Sequence, residues 1–146
     1  MWIAHLNRLP TRSKLQSWGM QVSSDCCICA SNVETRDHLL FTCSFSMEIW
    51  RMIHRRLSLP PPLFRNWESL LDWIRLSSAS SPSTLRKIAA QATIYAIWKQ
   101  RNNILHNLQA VPPSVIFKEI DREIINTTIA RRHCKNFKKL FYLWVR

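Results

Sequence analysis

Glycine is almost missing from this chain: Gly19 is the only one in 146 residues. Strands joined by tight hairpins take glycine where the turn needs a positive φ. A near-absence of glycine therefore argues against an all-β fold and for helices. Acidic residues are scarce as well, with nine Asp and Glu against 21 Lys and Arg, a formal net charge of +12. No nucleophile–base pair, phosphate-cradling loop or paired carboxylates can be found, so the chain reads as non-catalytic. Long apolar runs are also absent. The least charged stretch, near Ile88–Trp98, contains Gln91 and Thr93 and falls well short of the ~20 apolar residues that span a bilayer. Met1–Trp2 is not followed by a basic start and an apolar run, so no signal peptide is evident. These absences point to an intracellular protein with no membrane segment, with the nucleus as an open location.

What is present is unevenly placed. Residues 1–50 hold four basic and four acidic side chains, whereas residues 51–146 hold 17 basic and 5 acidic. A footprint for a polyanion such as nucleic acid therefore belongs to the second part. The chain has five cysteines, and Cys26, Cys27, Cys29 and Cys43 all fall within 18 residues of one another. A disulfide framework would spread an even number along the chain. Clustered cysteines in a reduced compartment more often bind metal.

Cys26, Cys29, His38 and Cys43 follow a Cys-x2-Cys-x8-His-x4-Cys spacing. Three thiolates and an imidazole make a closed ligand set for one structural Zn²⁺, with no position left for a reactive water. The alternative is three small buried cysteines and a core histidine, but that does not account for their grouping. Zinc is preferred over an iron–sulfur cluster because one ligand is histidine. Cys27 could replace Cys26 as a ligand, although Cys27-x-Cys29 makes a cramped turn, and Cys27 is expected to point away from the ion.

The rest of the chain punctuates clearly. Trp2, Ile3, Leu6 and Leu9 suit one helical face that ends at Pro10. Thr11 can cap a short helix that carries Leu15 and Trp18, with Gly19 as its C′ residue. The patterned start predicts further residues upstream. Thr35 can cap a helix through Leu40 that presents His38, and Ser44 can cap the next, with Phe45, Ile49, Trp50, Ile53 and Leu57 at helical spacing. Pro60, Pro61 and Pro62 predict a stiff spacer. Asn66 then caps a helix with Trp67, Leu70, Leu71 and Ile74 on one face. Ser77–Ser83 reads as a flexible link into a long helix from Pro82 to about His106. Pro112–Pro113 precedes a helix from about Ser114 past Arg132, followed by HCKNFKKLFYLWVR. The expectation is a mostly α protein. Residues 1–57 form a small Cys₃His zinc-binding helical module, 58–65 a proline-rich linker, and 66–146 a basic helical extension.

Several of these residues together resemble the zinc-binding domain at the C-terminal end of reverse transcriptases from plant LINE-type (non-LTR) retrotransposons. The residues that carry the resemblance are Leu9-Pro10-Thr11-Arg12, Trp18-Gly19, Cys26 and Cys29, Glu34-Thr35, His38-Leu39-Leu40-Phe41-Thr42-Cys43, Phe45-Ser46 and Trp50. It covers roughly residues 1–55. Ile97-Trp98-Lys99-Gln100-Arg101-Asn102 is similar to a Trp-x-x-Arg-Asn element that follows this domain in the same plant proteins. The resemblance implies a metal module that helps a polymerase grip nucleic acid. The polymerase and endonuclease are absent from this chain: no Asp-Asp pair occurs in it, and such carboxylates hold the metal ions of nucleotidyl transfer. The resemblance thus implies a detached C-terminal piece of a retroelement protein.

Arg131, Arg132, Lys135, Lys138 and Lys139 are the candidate nucleic-acid contacts. No acid lies among them, and Phe137, Phe141, Tyr142 and Trp144 interleave with them. The cations can neutralise phosphates in a non-specific, salt-dependent way, and the aromatics can stack on bases or pack on the core. Trp98, Arg101 and Asn102 read as a packed tryptophan with the arginine along it, ahead of a partner contact. His5, His54, His106, His133 and Cys134 show no spacing that suggests chemistry. Two other readings stand beside nucleic-acid binding: a protein-interaction module, and retroelement debris without present function.

Overall fold

A computed structural model describes residues 1–107, 109–135 and 137–146. The protein is mostly helical, and among the described residues there is no strand beyond one antiparallel bridge between Asp25 and Val33. Seven α-helices follow in order: α1 (Trp2–His5), α2 (Arg12–Ser17), α3 (Ser44–Arg56), α4 (Trp67–Arg75), α5 (Ser83–Asn107), α6 (Pro113–Ala130) and α7 (Phe137–Val145). A π-helical turn, His38–Thr42, precedes α3.

Local chemistry sets most of these boundaries. In α2, Gly19 sits at φ +86°. Its N–H donates to the Gln16 carbonyl at 2.9 Å while Met20 N–H donates to Leu15 at 3.1 Å, the paired closure that a C′ glycine permits. Asn66 caps α4 reciprocally: its side chain accepts from Ser69 N–H at 2.9 Å, and the Ser69 hydroxyl is 3.3 Å from the Asn66 N–H. Pro82 lies just before α5 and its carbonyl accepts from Arg86 N–H, so the proline ring occupies a position with no donor to lose. At α3 it is Cys43, extended, that holds the cap position, and the Ser44 side chain makes no cap bond.

The first helix is shorter than its pattern suggests. It ends at His5, Asn7 turns the chain with φ +52°, and Trp2 remains 70% exposed while Ala4 and Leu9 are buried. Four apolar residues at helical spacing do not suffice when a left-handed residue interrupts them before Pro10.

One core joins the chain's beginning to its end. Phe41, Trp50, Phe64, Trp67 and Trp73 form an aromatic cluster, with Phe64 edge-on to Trp50 at 4.9 Å between ring centroids. The proline run delivers Phe64 into this cluster and is sealed by His54, whose Nδ1–H donates to the Pro60 carbonyl at 2.6 Å. Helix α6 packs against α3, α5 and α7. Asp121 on α6 ties three helices, because it accepts from Arg56 at 2.8 Å and from the Trp144 indole at 3.0 Å. Among the described residues no helix is long and apolar enough to cross a membrane.

Candidate metal centre

The metal-site loop is a short hairpin of backbone bonds. Glu34 N–H donates to Ser24 at 2.8 Å, and Cys26 N–H donates to Asn32 at 2.7 Å. At its tip Ala30 N–H closes on the Cys26 carbonyl at 2.8 Å, with Ala30 in the left-handed region at φ +53°. This turn places Cys26 and Cys29 on one side. The other two side chains come from the π-turn. Thr35 Oγ1 accepts from His38 N–H at 3.0 Å, fixing where the turn begins, and Cys43 N–H reaches the His38 carbonyl at 2.7 Å.

The wide turn has a geometric consequence. His38 and Cys43 are five residues apart; on an α-helix of about 3.6 residues per turn they would diverge by roughly 140°. An i→i+5 turn closes those five residues into about one revolution, so both side chains fall on the same side. The sequence spacing reads as an ordinary helical turn, and the ligand geometry requires the wider one.

The ligand atoms of Cys26, Cys29, His38 and Cys43 all lie within 4.8 Å of one another, and Cys26, His38 and Cys43 are buried. Cys29 Sγ is 3.3 Å from His38 Nε2. The other imidazole nitrogen, Nδ1, lies 3.2 Å from Thr42 Oγ1, which leaves Nε2 facing the thiols; such outer partners fix the ring of a metal-ligating histidine. Tetrahedral sulfur ligands at ~2.3 Å from an ion stand ~3.8 Å apart, so this set fits one ion. Cys26 and Cys43 share a proton. A hydrogen bond from the Cys43 thiol lowers Cys26 to a pKa of about 5 against the opposing effect of burial. The same shared proton, followed by burial, raises Cys43. Of this pair Cys26 gives up its proton the more readily, and a cation at the centre of the four would favour the thiolate form.

Cys27 is outside the set. Its N–H donates to Glu34 Oε2 at 3.2 Å and its thiol faces the Arg101 carbonyl at 3.9 Å. Burial, then the Glu34 charge, pushes its pKa up to about 12. It is a neutral thiol that points toward α5.

Sequence reasoning gave no role to the residue that locks this loop in place. Glu34 is fully buried. It accepts from Arg12 N–H at 2.9 Å, from Cys27 N–H, and from Arg101 Nη2 and Nε at 2.7 and 3.1 Å. Burial alone would raise its pKa; the Arg101 hydrogen bond and charge, with the two amides, outweigh burial and hold it below the ordinary value. Arg101 is 3% exposed, donates also to the Pro10 carbonyl at 3.1 Å, and lies 4.8 Å from the Trp98 ring centroid. Leu9–Arg12, Glu34–Thr35 and Trp98–Asn102 are thus three distant segments that meet at one carboxylate. The expected packing of Arg101 along Trp98 is present, but the arginine's main partner is Glu34.

Against known families, residues 1–50 match the model described as zinc-binding in reverse transcriptase. That match covers the four candidate ligands and Glu34, and stops short of Arg101. No curated protein and no solved structure matches the chain.

The five basic residues named for nucleic acid, Arg131, Arg132, Lys135, Lys138 and Lys139, are all exposed. They occupy the α6–α7 corner and the outer side of α7. Arg131 lies 5.8 Å from the Phe137 ring centroid. Of the interleaved aromatics, Trp144 is fully buried and bonded to Asp121, whereas Tyr142 faces outward.

Proposed function

We propose that this protein is a non-catalytic zinc-binding module that engages nucleic acid, derived from the C-terminal part of a plant LINE-type reverse transcriptase. Cys26, Cys29, His38 and Cys43 hold one structural Zn²⁺, and the observation that carries this is their four ligand atoms within 4.8 Å. Three sulfurs and one nitrogen suit zinc better than the harder divalent cations. With all four positions supplied by the protein, the ion's contribution is to folding.

Roles divide along the chain. Residues 1–57 carry the metal, 58–65 turn the chain, and 66–146 supply the basic surface. The charge distribution supports this, since residues 66–146 hold 13 of the 21 basic side chains. Several of the remainder are committed internally: Arg36 stacks on Trp67 at 5.2 Å, and Arg12 donates to the Asp25 carbonyl. The exposed cations of the α6–α7 corner are available to phosphates and give binding that weakens steeply with salt.

Two measurements on the reduced, purified protein test the reading. Elemental analysis is expected to give one equivalent of zinc, lost in Cys29→Ser and His38→Ala; an equivalent retained by either variant overturns the ligand set. Fluorescence anisotropy with nucleic acid over a salt series is expected to show affinity that falls as salt rises. Absence of binding at low salt overturns the nucleic-acid role. One observation favours protein interaction as a second reading: a cleft of about 460 Å³ lined by Leu59, Pro60, Phe64, Trp73 and Leu76, with Leu63 at its edge 91% exposed. Partners that survive nuclease treatment of a pull-down support that second reading.

A further inference from the structure

The cleft between the end of α6 and α7 differs from the others on the molecule. It has a volume of about 430 Å³, and its lining includes Ile129, Arg132, Lys138, Phe141 and Tyr142, within the roughly 300–1,000 Å³ common for ligand sites. Its chemistry is split. One wall is apolar, with the half-buried Phe141 and with Ile129, itself 40% exposed. The rim is cationic, with Arg132 and Lys138 exposed and in no ion pair among the described residues. Tyr142 stands 59% exposed, its ring at 73° to Phe141 with centroids 5.5 Å apart. The two rings thus present a face and an edge at a corner.

The electrostatic surroundings are one-sided. No acidic side chain follows Glu123 in the sequence. The acids of α6 are turned elsewhere: Glu119 pairs with Lys99 of α5 at 3.2 Å, Asp121 with Arg56, and Glu123 lines a separate depression beside Tyr95. A ligand in the α6–α7 cleft meets two cations, an aromatic face and an apolar wall, and no carboxylate from the cleft lining. Oriented cations without counter-ions select an anion. An exposed aromatic face beside them selects a flat π-system.

We propose that this cleft binds an unpaired nucleotide of single-stranded nucleic acid, with the base stacked on Tyr142 against the Phe141–Ile129 wall and the flanking phosphates on Arg132 and Lys138. The proposal rests on the nucleic-acid reading above and makes it specific: the protein prefers single strands because a base held in a duplex cannot turn out into the cleft without unpairing. Phosphate contacts from Lys135 and Lys139 then serve single and double strands alike, while the stacking contribution belongs to the single strand alone.

The test compares the full-length zinc-loaded protein with Tyr142→Ala, Tyr142→Phe and Lys138→Ala. Tyr142 is exposed, so these substitutions leave the core intact. The probes are an oligodeoxythymidine of about 15 nucleotides and a duplex of equal length, each labelled for anisotropy, plus a single strand carrying one 2-aminopurine. Tyr142→Ala is expected to lose about tenfold in affinity for the single strand and little for the duplex, as removal of one stacking platform predicts. Tyr142→Phe keeps the affinity. Lys138→Ala weakens both probes and lowers the salt slope by about 0.7 on the single strand. Aminopurine fluorescence falls on binding to the parent protein and not on binding to Tyr142→Ala. Equal single-strand affinity for parent and Tyr142→Ala, with duplex binding retained, overturns the cleft alone. Failure of the parent to bind either probe at low salt overturns the nucleic-acid reading and the cleft with it.

Discussion

Glu34 and Arg101 are the side chains on which the metal loop and α5 depend together. A buried ion pair is weak evidence of net stabilisation, because both groups were taken out of water, but removing one partner leaves an uncompensated charge. Arg101→Met therefore strands a buried carboxylate with only the Arg12 and Cys27 N–H donors and is expected to destabilise the fold by about 3–5 kcal/mol, read from denaturant unfolding of the zinc-loaded protein. Pairing it with Glu34→Gln restores part of that loss, since the buried charge is removed and the one amide oxygen still accepts from either the Arg12 or the Cys27 N–H. A double variant no better than Arg101→Met would show that the pair is not the source of the cost. At this scale the sequence was legible where residue type alone carries the chemistry. Cys26, Cys29, His38 and Cys43 declare themselves by spacing, and the structure gathers them. Cys27 was expected to point away because Cys27-x-Cys29 makes a cramped turn, and its thiol faces the Arg101 carbonyl instead. Glu34 and Arg101 were not legible as a pair, for they lie 67 residues apart and a single glutamate or arginine carries no spacing rule.

At the scale of elements, capping and punctuation were the reliable signals. Asn66, Pro82 and Gly19 set boundaries through bonds that depend only on neighbouring residues. What local chemistry could not reveal was the register of the π-turn, which is set by the demand that His38 and Cys43 face one point, nor the early end of α1 at His5, ahead of the turn at Asn7. The proline run illustrates the same limit: three prolines predict stiffness, and the fold uses that stiffness to aim Phe64 inward. His54 closes this segment and gives it a pH dependence. Burial lowers the His54 pKa, the nearby Arg86 charge adds to that, and the bond to the Pro60 carbonyl opposes both. Nδ1–H is the donor to Pro60, and Nε2 has no partner among the described residues, so a proton added there would be buried without an acceptor. A folded pKa below the unfolded value of 6.5 means that the unfolded chain binds the proton more readily, so stability is complete above 6.5 and declines as pH falls below it. His54→Gln is expected to flatten that decline in a series of denaturant melts; an unchanged slope removes His54 as its source.

For the molecule as a whole, the core runs without a break from Ala4 to Trp144. The segment that matches a known family ends at residue 50, inside α3 and inside the aromatic cluster. Residues 1–57 alone would expose Leu40, Phe41 and Trp50 to water, a loss of roughly 1.5–3 kcal/mol for each large side chain uncovered. That fragment is expected to bind metal yet to melt without a cooperative transition and to bind an apolar dye, whereas the full chain melts cooperatively. A sharp thermal transition in the fragment would establish it as self-sufficient. The salt link from α5 to the metal loop also imposes an order in time. During synthesis all four ligands exist once Cys43 has been made, while Glu34 waits for a cation that is added 67 residues after it. Through that interval the nascent loop can acquire its ion but cannot bury its carboxylate, so a loop translated well before α5 becomes fixed only after α5 has been made.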